Sequence, residues 1–107
     1  ARELDFGLRV IRRFRARRDG PFVRVDLPPG YAWVMKPNTA LDLHHAIRTM
    51  DGIVNCEGMT LRIHRAGSSV LLEVLHWPGV VLLDGNDLRD SIESLKTACN
   101  DVKRGQM

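Results

Sequence analysis

The sequence predicts a small α+β domain, a twisted antiparallel sheet of four to six strands packed against two helices in the order β-β-β-α-β-β-(β)-α. Three observations lead there. Met59 to Arg65 alternates apolar and polar side chains, and after a Gly-Ser turn the apolar segment Val70 to Trp77 returns, which is a hairpin signature. Leu88, Ile92, Leu95, Cys99 and Val102 recur at four-three-four-three spacing, which gathers five apolar side chains on one helical stripe. A chain of 107 residues with 44% hydrophobic content can bury one core but not two, so residues 1–107 form a single domain.

The first element alternates with period two. Leu4, Phe6, Leu8, Val10, Phe14 and Ala16 fall on one side, and Asp5, Arg9, Ile11, Arg13 and Arg15 on the other, so residues 4–16 read as one long strand with a basic outer face. Arg12 interrupts the apolar side and marks a bulge, a frayed edge or a snorkelling side chain. Asp19-Gly20-Pro21 turns the chain into a second strand, Phe22 to Leu27, paired with the first. Pro28-Pro29-Gly30 ends it, because proline removes a donor and glycine relaxes the backbone.

Tyr31 to Lys36 is the third strand, with Tyr31, Trp33 and Met35 on one face. Ala40, Leu43, Ile47 and Met50 then share a helical face, with Asn38 or Thr39 placed to cap it and Asp51-Gly52 to stop it. Residues 53–58 read as a connection. Met59 to Arg65 and Val70 to Trp77 form the hairpin, and Val80 to Leu83 is either a short edge strand or the continuation of the run after a kink at Pro78-Gly79. The last helix runs from about Asp87 to Val102 or Lys103, capped by Asn86 or Asp87, ended by Gly105 and followed by a frayed Gln106-Met107.

The hairpin's second strand is apolar on both faces: Val70, Leu72 and Val74 on one, Leu71, Leu75 and Trp77 on the other. A strand of that kind needs cover on both sides, from the chain itself or from a second copy. The reading taken is a homodimer with Leu71, Leu75 and Trp77 at the interface.

Charge is unevenly placed. Residues 1–50 hold ten basic and five acidic side chains, residues 51–107 six and eight, and only Lys36, Lys96 and Lys103 of the 16 basic residues are not arginine. Six arginines and no acid lie in residues 9–18. Arg9, Arg13, Arg15 and Arg17, joined by Arg24 from the hairpin partner, are expected to present a basic sheet face to an anionic partner, either nucleic acid or an acidic protein.

Catalytic signatures are absent from the sequence. His44-His45 are adjacent and point about 100 degrees apart on a helix, so they do not chelate one ion, and no metal or cofactor is expected. His64, Glu73 and His76 share the hairpin and are the candidates for an acid-base pair. Glu73 and His76 point to opposite faces by parity, whereas His64 and Glu73 meet only in one register. The function expected is therefore a non-catalytic binding or regulatory module. The alternatives are a small metal-independent hydrolase or nuclease and a protein-interaction oligomer with no nucleic-acid role.

No run approaches the roughly 18 apolar residues of a membrane span, and Ala1-Arg2-Glu3 does not resemble an export signal, so a cytoplasmic location is expected. Cys56 and Cys99 read as reduced thiols, with Cys99 on the last helix's apolar stripe, and their spacing does not say whether they are ever close.

Overall fold

Where Arg12 breaks the alternation, the chain changes sheets. The computed structural model describes residues 9–28, 30–77 and 79–105. It resolves the expected first strand into two: β1 (Arg9–Ile11) and β2 (Arg15–Asp19), separated by an irregular bend at residues 12–14. β1 pairs in parallel with β8 (Gly79–Leu83), and β2 pairs antiparallel with β3 (Phe22–Leu27). The parity of the first half also inverts, Ile11 being buried and Val10 half exposed. The expected strand residues 4–8, together with Pro29, Pro78 and the expected frayed pair 106–107, lie outside the described residues.

The α+β class and the two helices hold. The strands divide between two sheets. β3 is followed by β4 (Tyr31–Met35), and β2-β3-β4 is a three-stranded meander. The other sheet is mixed and five-stranded, in the order β1-β8-β7-β6-β5, with β5 (Gly52–Cys56), β6 (Met59–Ala66) and β7 (Ser69–Val74) joined by tight hairpins; β8, expected at an edge, is interior because β1 pairs on its other side. Residues 53–56, expected as a connection, are thus a strand. Cys56 pairs with Met59, and the two loop residues between them, Glu57 and Gly58, both have positive φ (45° and 88°), which is the geometry of a type I′ hairpin turn.

α1 (Pro37–Thr49) starts earlier than its apolar spacing indicates, because Pro37 occupies the first helical position with its φ already suited to the helix. The expected Asn38 or Thr39 cap is not used. Lys36 is the N-cap residue and makes no side-chain cap bond, while Met50 closes the other end in the left-handed conformation. α2 (Gly85–Gly105) starts two residues before Asp87, the amide of Leu88 bonding to the carbonyl of Asp84.

The core follows from these faces. Ile11, Leu61, Ile63, Val70, Leu72, Val81 and Leu83 from the five-stranded sheet meet Leu43 and Ile47 of α1, Leu95, Cys99 and Val102 of α2, and Val23, Val25 and Met35 of the meander. α2 touches both sheets, against β2 and β3 on one and β7 and β8 on the other, and α1 packs on β5 and α2. Leu88 and Ile92 complete the expected stripe as half-buried residues. Cys56 and Cys99 are free, buried thiols; burial, aided by Glu57 and Asp42, pushes Cys56 up to about 12, and burial alone raises Cys99.

The hairpin's second face does not continue past Val74. Leu75 and His76 form a turn, with His76 at φ 66°, and this breaks the parity that grouped Leu71, Leu75 and Trp77. Leu71 is half buried on the outer face of β7, and Leu75 is 64% exposed. Trp77 turns onto the meander, edge-on to Tyr31 (ring centroids 5.3 Å apart) and to Trp33 (6.3 Å). All three rings belong to one chain.

Gly79 is required beneath that indole. A Cβ there would lie 2.7 Å from two ring carbons of Trp77. Gly79→Ala is expected to displace the ring and destabilise the fold by about 1–3 kcal/mol, read as a shifted tryptophan emission together with a lower unfolding midpoint. Unchanged emission and stability would contradict this packing.

Candidate binding cleft

The bend between β1 and β2 is held on α2 by two serines. Ser91, fully buried, accepts a hydrogen bond from the Phe14 N–H and donates one to the Phe14 carbonyl, both at 3.2 Å. One turn on, Ser94 Oγ accepts from the Ala16 N–H at 3.0 Å. A strand at the edge of a sheet would otherwise leave these groups open, so α2 closes that edge with hydroxyls where its stripe could have carried larger apolar residues.

This anchoring creates a cleft of about 790 Å³ beside the serines. Phe14, Leu27 and Pro28 lie at its base, the first two almost fully buried, so that its surface is mostly polar. Arg13, Arg15 and Arg24 line it from the strand side with Asp26, and Asp90 and Glu93 from α2; Gly30 and Tyr31 complete it at the β3–β4 turn. A second hollow of about 500 Å³ shares Arg13 and Pro28 and adds Arg12 and Asp87.

The expected arginine face is only partly brought together. Arg15, Arg17 and Arg24 lie on the outer face of the meander, Arg17 directly opposite Arg24 and Arg15 opposite Asp26. Arg13 sits in the bend and reaches the cleft, as Arg15 and Arg24 do. Arg9 lies in β1, paired with Gly79, and its side chain lies outside the described ones. Asp26 takes up two of the five. Its carboxylate binds Arg24 Nε at 2.8 Å and Arg17 Nε at 3.2 Å.

The Arg24 hydrogen bond, opposed by partial burial and assisted by Arg17, holds the Asp26 carboxyl below its ordinary value of 3.8. A depressed folded value contributes stability that is fully present above the unfolded value and is lost as pH falls through the folded one. Asp26→Asn is therefore expected to be less stable than the native chain at pH 7, by under about 1 kcal/mol for so exposed a cluster, with the gap closing as pH drops below about 4. Urea unfolding of both proteins at pH 7 and pH 3 checks it. A gap that widens on acidification would contradict the pairing.

The acid-base candidates lie elsewhere. The register sets Arg62 opposite Glu73 and His64 opposite Leu71, so His64 and Glu73 meet diagonally, Nε2 to Oε1 2.7 Å, on the outer face of the five-stranded sheet. Both are more than a third exposed, and His76 is in the turn that follows β7. Neither hollow is lined by any of the three. His44 on α1 is held below its ordinary value by burial first and then by Arg48, Lys96 and His45. Among the described residues no three His, Cys, Asp or Glu side chains cluster as a metal site requires, and no helix is long and apolar enough to cross a membrane.

Asp90 and Glu93 are the functional candidates that charge counting overlooks, because their importance comes from the approach of α2 to β2. One signal of it lies in the sequence: Ser91 occupies the buried stripe four residues before Leu95, and a small polar residue there marks a close backbone approach. Comparison of the chain with protein-family models, curated proteins and solved structures found no match in any of the three.

Proposed function

We propose that this chain is a non-catalytic binding module whose cleft takes an extended, carboxylate-bearing segment of another protein. The observation that carries the reading is the arrangement of charge around the cleft. Arg13, Arg15 and Arg24 come from the strand side and Asp90 and Glu93 from α2, about a mostly polar cleft. Guanidinium groups bind carboxylates through paired, charge-assisted hydrogen bonds. An extended segment sends successive side chains to opposite sides, so alternating acidic and basic residues would meet the arginines on one side and the helix carboxylates on the other. The volume falls in the range of ligand-binding clefts.

A nucleic acid fits less well. Its phosphates present one sign of charge at close spacing, and Asp26, Asp90 and Glu93 would oppose it. The two readings separate by fluorescence anisotropy with three labelled probes: a ten-residue peptide alternating Glu and Lys, a ten-residue Glu peptide, and a ten-nucleotide single-stranded DNA. Saturable binding is expected to be tightest for the alternating peptide and to weaken with salt. Preference for DNA over both peptides, or no binding of any probe, would overturn the proposal.

A further inference from the structure

We infer that the segment bound in the cleft continues onto the outer face of the meander, where an apolar side chain of the partner lands on Phe22 and Val34. This rests on the cleft reading and gives its ligand a second requirement, an apolar residue beside the charged run. Strand register lays out the outer face in rows. Arg15, Asp26 and Ala32 form one row across the three strands, Arg17, Arg24 and Val34 the next, and Asp19 and Phe22 the third. The helices pack on the opposite face, where Ala16, Val23, Val25 and Met35 are buried.

Two large exposed hydrophobic side chains are neighbours on this outer face, Val34 (43% exposed) and Phe22 (41%). Val34 stands opposite Arg24, and Phe22 is its diagonal neighbour, a separation an aromatic ring spans. Ala32, also exposed, shares the row of Arg15 and Asp26, both of which line the cleft. An apolar track of Ala32, Val34 and Phe22 therefore starts at the cleft mouth and runs along the strands away from it. From Asp26 to Phe22 is roughly 13 Å along β3, which an extended segment covers in about four residues.

Charge decides the occupant. Arg15, Arg17, Arg24 and Lys36 border the track against Asp19 and Asp26, and Asp26 is already held by Arg24 and Arg17. The face disfavours a basic segment and suits the same carboxylate-bearing one that suits the arginines of the cleft. A partner lysine is able to stack on a phenylalanine ring, but over Phe22 it would stand beside Lys36, which follows Met35, the partner of Val23. The residue placed on the ring is accordingly apolar.

Fluorescence anisotropy separates this inference from the reading it rests on. The probes are the ten-residue alternating Glu-Lys peptide extended at either end by Ser-Leu-Ser-Leu or, as controls, by four serines; the two-residue spacing sends both leucines to one side. At least one leucine peptide is expected to bind about tenfold more tightly than its serine counterpart, the gain for removing on the order of 50–60 Å² of apolar surface from water. In Phe22→Thr/Val34→Thr, which puts β-branched threonine at both exposed strand positions, the difference between leucine and serine peptides is expected to vanish. Either single replacement gives the same reading at reduced size if the double variant does not fold. Binding of the serine peptides with no gain from leucine, or a gain that survives in the double variant, would overturn this inference and leave the cleft reading standing. No binding of any peptide would overturn both.

Discussion

Ser91→Ala is expected to be among the most destabilising single-atom deletions in this protein, although it opens almost no cavity. The Ser91 hydroxyl is the hydrogen-bond partner of both the N–H and the C=O of Phe14, in a region sealed from water. Removing it leaves a donor and an acceptor buried and unsatisfied, at about 1–3 kcal/mol each, so a loss near 3 kcal/mol is expected. For a domain of this size that corresponds to a fall of roughly 10–20 °C in Tm. Ser94→Ala provides the internal comparison. Ser94 is only half buried, water can replace its hydroxyl at the Ala16 N–H, and a loss of about 1 kcal/mol or less is expected. Thermal unfolding of both variants checks the order, and equal losses would contradict the anchoring of β2 by a sealed serine.

The second large effect falls on binding. Arg13→Glu combined with Arg15→Glu reverses two of the three cationic positions in the cleft while leaving Arg24 paired with Asp26. Neither side chain belongs to the core, so the fold is expected to survive with Tm nearly unchanged. Affinity for the alternating Glu-Lys peptide should fall about 100-fold or more, since each charge-assisted hydrogen bond to a guanidinium is worth about 1.5–3 kcal/mol and the reversed charge adds repulsion. The same reversal at Arg62 and Arg65, exposed on β6, serves as the control and should change affinity little beyond a general salt-dependent term. Loss of binding in the control equal to that in the cleft variant would point to net charge in place of a built site.

Local pattern carries much of the fold. The stripe of α2 and the alternation of β6 and β7 are direct consequences of helical and strand periodicity, and both are present. The departures have physical causes. β5 is hidden in the sequence because its hairpin turn is Glu57-Gly58, and glutamate is not a residue that ordinarily announces a left-handed first turn position. A single long first strand fails because the two-residue period resumes at Phe14 and Ala16 after the interruption at Arg12, so that a residue pattern continues across a bend where the hydrogen bonds do not. His76 likewise takes a left-handed conformation without being glycine, and it carries Trp77 from the face of Leu71 to the rings of Tyr31 and Trp33.

The cleft is half legible for a related reason. An arginine cluster is visible in any linear reading, but Asp90 and Glu93 lie some 75 residues later in the chain. They meet it only because Ser91 and Ser94 bind the backbone of Phe14 and Ala16. The acids also suit the amino-terminal half of a helix on their own account, which makes them ordinary in sequence.

The central claim, that the cleft between the β2–β3 strands and α2 is a binding site, is tested most directly by titrating isotope-labelled protein with the alternating Glu-Lys peptide and following backbone amide resonances. Saturable shifts are expected at Arg13, Arg15, Leu27, Gly30, Asp90 and Glu93, and the Arg13→Glu/Arg15→Glu protein should show none at the same peptide concentration. Shifts centred instead on His64, Leu71 and Glu73, across the outer face of the five-stranded sheet, or no saturable shifts at all, would contradict it.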